Sequence, residues 1–165
     1  MTCLLIAIES EFRSNGMSLS DGFSSQVEQP NTVSFSPAEG FVAIALLACA
    51  VDGQASDHEL RTVYAVLERM QLFKGYSSDA LKSTIARLAE MLKSEGFTIF
   101  LATAVRAIPL ELHDTAFAIA ADIVLTDGVF TEEEEYLLDK LHKALEVDKD
   151  TAKIIASVIL IKNRG

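Results

Sequence analysis

Glycine and proline are scarce, eight and three in 165 residues, while 50% of the chain is apolar and 23% charged. That balance excludes a collagen-like, low-complexity or disordered polymer and leaves enough apolar material for one compact core. Cysteine is nearly missing: Cys3 and Cys49 form neither a Cys-x-x-Cys pair nor a secreted-type framework, so no disulfide is expected and a reducing compartment fits. Long apolar runs are also missing. The longest, Phe41 to Val51, has eleven residues, against the ~20 that a bilayer demands, so it predicts a buried helix and no direct membrane insertion. The apolar block Cys3 to Ile8 has no basic region before it and is followed at once by Glu9 and Glu11, so no secretory signal is expected and a cytoplasmic location is.

Basic charge is in deficit. Lys and Arg number 14 against 24 Asp and Glu, a formal charge of -10, which repels phosphate backbones and argues against a nucleic-acid partner. The excess is concentrated: between Glu111 and Asp150 stand twelve acidic and three basic residues. A cation or a basic partner is expected there first.

Residues 14 to 37 carry seven serines with Gly16, Gly22, Pro30 and Pro37. Residues 1–35 therefore read as a loosely ordered lead-in and 36–165 as the folded domain. From Ser36 onward helix signals follow one another without a strand pattern. Ser36-Pro37-Ala38-Glu39 combines an N-cap, a first-turn proline and a capping-box glutamate, opening a helix that should stop at Gly53. Leu60, Val63, Leu67 and Met70 mark a second helix, and Leu81, Ile85, Leu88 and Leu92 a third over about Ser78 to Lys93, ended by Gly96. A fourth runs to the residue before Pro109. The last three cover about Leu112 to Thr126, Glu132 to Leu145 and Lys149 to Lys162, the final stripe being Ala152, Ile155, Val158, Ile159 and Lys162. The fold class expected is all-α, about seven helices.

Shifting the sequence by 75 residues aligns the first two helices with the fifth and sixth without a gap. Ala43-Ile44-Ala45 meets Ala118-Ile119-Ala120, Asp52-Gly53 meets Asp127-Gly128, Ser56 meets Thr131, and Glu59 meets Glu134. Two related units, about 36–95 and 111–162, are expected to share one core. Each centres on a corner: apolar helix, Asp-Gly, Ser or Thr, Glu, amphipathic helix. Capping accounts for the hydroxyls and glutamates. It does not account for Asp52 and Asp127, which would sit where the helix dipole is negative and an acid costs about 0.3–1 kcal/mol. A cation between the Asp and the Glu, helped by carbonyls at the helix end, would compensate.

The corners Val51-Asp52-Gly53-Gln54-Ala55-Ser56-Asp57-His58-Glu59 and Thr126-Asp127-Gly128-Val129-Phe130-Thr131-Glu132-Glu133-Glu134 resemble the paired motifs of the tellurite-resistance TerB family over about Ser36 to Lys162. The resemblance implies an internally duplicated helical bundle, a cytoplasmic role in tellurite and general stress response, no catalysis, and a divalent metal held by Asp52, Glu59, Asp127 and Glu134. It also implies a protein partner, including a membrane-associated protein of the Ter type. Calcium or magnesium suits the carboxylates; zinc would look to His58 or His113, with His142 on a helix surface. An EF-hand is excluded by spacing, because Gly follows Asp directly.

Asp122 interrupts the apolar face Ala116 to Leu125, and a neighbouring lysine or a cap is expected to satisfy it. Cys49 reads as core filler. No GxSxG, P-loop, GxGxxG or Cys-His setting points to an enzyme. The competing expectation is an acidic interaction module that docks a basic or membrane-associated partner and uses no metal.

Overall fold

The chain divides into two units, Met1–Thr32 and Val33–Gly165. The computed structural model describes residues 34–50, 57–126 and 131–164, with side chains from Leu60 onward in the second of these segments. Among the described residues there are seven α-helices and no strand: α1 Pro37–Cys49, α2 Asp57–Leu67, α3 Ser78–Glu95, α4 Phe97–Ala107, α5 His113–Val124, α6 Glu132–Ala144 and α7 Lys149–Lys162. The all-α expectation holds.

α1 is the centre of the domain, for a compositional reason. A helix apolar on every side can only be buried, and every residue from Gly40 to Cys49 is. It packs against α2, α3, α4 and α5. Its start is the expected capping box: Ser36 Oγ accepts from Glu39 N at 3.3 Å, and Glu39 Oε2 accepts from Ser36 N at 2.7 Å. The helix ends at Cys49 with Ala50 as cap, ahead of the expected Gly53, and Gly53 itself lies outside the described residues. Cys49 is core filler as expected, 7% exposed.

The outer helices each turn one stripe inward. α3 buries Leu81, Ile85, Leu88 and Ala89, is capped by Ser77, and stops at Gly96, whose φ of 78° suits a residue without a side chain. α4 stops because Ile108 is extended ahead of Pro109. Its buried Thr103 hydroxyl donates back to Ile99 O at 2.9 Å. α7 is capped by Asp148, whose carboxylate accepts from Asp150 N and Thr151 N at 3.0 and 3.1 Å.

Further details differ from the sequence reading. α2 ends at Leu67, and the chain tightens into a 3-10 turn at Gln71–Phe73 that buries Phe73 instead of extending the helix through Met70. α5 starts one residue late because Leu112 closes a 3-10 turn, and it ends at Val124 rather than Thr126. In α7 the inward stripe passes through Ala152, Ile155 and Ile159, while Val158 is 58% exposed. Adjacent helical positions are 100° apart, and the covered arc of α7, centred on Ala152, Ile155 and Ile159, does not extend to Val158.

Candidate functional site

Of the four carboxylates expected to hold a metal, Asp52 and Asp127 lie outside the described residues, and Glu59 lies in the first turn of α2 with its side chain outside them. Glu134 is described. It is the third residue of α6, and Thr131 closes a capping box with it: Thr131 Oγ1 accepts from Glu134 N at 3.2 Å, while Glu134 Oε2 takes Thr131 N at 2.8 Å and Thr131 Oγ1 at 3.0 Å. Glu134 Oε2 thus does the work that helix capping asks of this position. Among the described residues, no group of three or more His, Cys, Asp or Glu is close enough to hold a metal ion.

The end of α5, where the second corner begins, already has donors on its carbonyls. Thr126 Oγ1 donates to Asp122 O at 2.8 Å and to Ile123 O at 2.9 Å, and Asn163 Nδ2 donates to Leu125 O at 3.1 Å. These are the groups that the last turn of a helix leaves without intrahelical partners. Side-chain donors meet them here.

The histidines are engaged. His113 is 6% exposed, with Nδ1 2.7 Å from Leu145 O and Nε2 3.1 Å from Ile108 O. His142 does not lie on the surface as expected. It is half-buried, with Nδ1 3.2 Å from Val147 O and Nε2 3.2 Å from Asp139 Oδ1. Both nitrogens of each ring face protein oxygens, and the side chain of His58 lies outside the described residues.

Asp122 is satisfied by a lysine, as expected. It pairs with Lys162 Nζ forty positions along the chain, tying the end of α7 to α5. Sequence reasoning missed the partner of Glu39, the guanidinium of Arg87 on α3. Burial of the Glu39 carboxyl works to raise its pKa, but the Ser36 amide and hydroxyl and the Arg87 charge outweigh it and hold the group below the ordinary value of 4.5. The only sequence signal was the capping box, which fixes where the Glu39 carboxylate points but not which helix supplies a cation.

The acidic tract opening α6 is different. Glu132, Glu133 and Glu135 are exposed, and none has an ion-pair partner among the described residues. Their negative charge suits a helix N-terminus without one. Just beyond, Lys140 Nζ sits 4.5 Å from the Tyr136 ring centroid and 5.8 Å from that of Phe97, which leaves the tract itself unneutralised.

No protein-family model, curated protein or solved structure matches this chain. No described helix is long and apolar enough to cross a membrane.

Proposed function

We propose that this chain is a non-catalytic, TerB-like module of the cytoplasmic stress response that holds a divalent cation at its paired Asp-Gly corners, through Asp52, Glu59, Asp127 and Glu134. One observation carries the reading. α1 and α5 end at Cys49 and Val124, and α2 and α6 begin at Asp57 and Glu132, so both pairs of boundaries are 75 residues apart and the two connections have the same length. The spacing found in the sequence therefore extends to the helices that frame each corner, which supports an ancient duplication with two equivalent junctions. Because Glu134 Oε2 serves the cap, the aspartates are the principal ligands in this reading, and calcium or magnesium suits them better than zinc.

Metal analysis of untagged protein, together with melting curves in EDTA and in added calcium, magnesium or zinc, tests it. A cation at 100 times its dissociation constant adds about 2.7 kcal/mol. The gain should vanish in the Asp52→Asn, Asp127→Asn double variant, and melting curves indifferent to every metal would reject the site.

A second reading rests on the carboxylates of Glu132, Glu133 and Glu135, which have no ion-pair partner among the described residues: an acidic face that docks a basic protein, membrane-associated or not. It predicts partner association that weakens with ionic strength. Neutralising these three glutamates would abolish it while leaving the double Asn variant fully competent.

A further inference from the structure

The last helix carries more large aliphatic side chains than its packed side can take. On α7, Ala152 and Ile159 are buried and Ile155, Ala156 and Leu160 half-buried, whereas Ile154, Val158 and Ile161 are 64%, 58% and 65% exposed. Their spacing of four and three places them in one outward stripe, the seam by which helices pair. Single exposed aliphatics are ordinary, but three in register form a patch. α7 packs mainly on α5, and among the described residues no other helix packs closely on its far side.

The charges along this stripe select its occupant. Asp150, Ser157 and Arg164 recur every seven residues and so line one edge of the seam. The Asp150 side chain is 86% exposed and has only a 3.5 Å contact with Lys153. Arg164, just past the cap, follows the helical path, its N–H reaching Ile161 O at 3.3 Å; it is exposed, with no carboxylate partner among the described residues. On the other edge Lys162 is held by Asp122. A second α7 laid parallel would set each edge against the opposite edge, and Asp150 and Arg164 would not meet each other. Laid antiparallel about Ser157, it sets Asp150 against Arg164 twice, Ile154 level with Ile161 twice, Val158 beside its own copy, and the small Ser157 at the axis. The edge is complementary to itself in one orientation only.

We propose that α7 is the seam of an antiparallel homodimer, with Ile154, Val158 and Ile161 as its apolar contact and reciprocal Asp150–Arg164 pairs fixing its register. A helix of this length is about 21 Å long, which makes the seam a small one, and weak, concentration-dependent self-association is expected.

Sedimentation equilibrium of the full chain over a range of concentrations tests this. The wild type should dimerise, and Val158→Glu should weaken association at least ~10-fold without altering the circular dichroism spectrum, since Val158 is exposed in the monomer. Asp150→Arg and Arg164→Asp should each weaken association, and the double exchange should restore it. A chain monomeric at every concentration, a dimer that Val158→Glu leaves intact, or a double exchange no tighter than the single ones would overturn the proposal.

Discussion

His113 binds the helix end at Leu145: Nδ1 of the buried ring lies 2.7 Å from that carbonyl oxygen, while Nε2 reaches Ile108 O at 3.1 Å. Leu145 caps α6 and Ile108 caps α4, so one ring at the start of α5 stands between the carbonyl ends of two other helices, and its neutral form, with a single N–H, donates to one of them. Helix ends leave such carbonyls without intrahelical partners, and burial makes an unmet acceptor costly.

Replacing His113 by Phe keeps an aromatic ring of comparable shape and removes the N–H donor. The loss should be about 1–3 kcal/mol, the cost of leaving one buried acceptor without its donor. Urea unfolding at equilibrium measures it. A loss below about 0.5 kcal/mol would mean that the ring contributes only packing.

Glu39 predicts a pH dependence. Its carboxyl is held below 4.5, so between its folded and unfolded values the unfolded chain binds more protons and folding gains from ionisation. That gain is complete above the unfolded value and disappears as pH falls through the folded one. Glu39→Gln should therefore be less stable than wild type near neutrality, with the gap closing below 4.5. The half-exposed Arg87 limits the effect to about 1 kcal/mol. A gap that stays constant through the acid range would show that the Glu39 charge has no part in it.

What could be read in advance divides by distance along the chain. Ser36 with Glu39 and Thr131 with Glu134 lie three residues apart, and the hydrogen bonds of both boxes are present. Gly96 and Pro109 act on their nearest neighbours, and their helices stop as expected. Long-range partners were not legible: an aspartate on an apolar face demands a cation, but only the fold chooses Lys162 for Asp122. His142 misled for the same reason, because its ring turns back to Val147 O, beyond the end of its own helix. The outward Val158 follows from where α5 lies, which helical periodicity alone does not specify.

Gly40 gives the sharpest test of how α1 is seated. A Cβ there would fall 2.7 Å from Ile108 Cγ1, 3.1 Å from Ala104 O and 3.3 Å from Ala107 Cβ, so the end of α4 lies directly on the helix backbone. On propensity alone Gly→Ala in a helix gains up to about 1 kcal/mol. Here overpacking costs about 1–3 kcal/mol, because one neighbour is a backbone carbonyl that cannot rotate away. Gly40→Ala should accordingly lose about 1–2 kcal/mol net. Gly75→Ala, where nothing lies within 4 Å, should be close to neutral. Denaturant midpoints of the two variants decide the matter, and equal stability of both would mean that α1 and α4 can part at no cost where Gly40 meets Ile108.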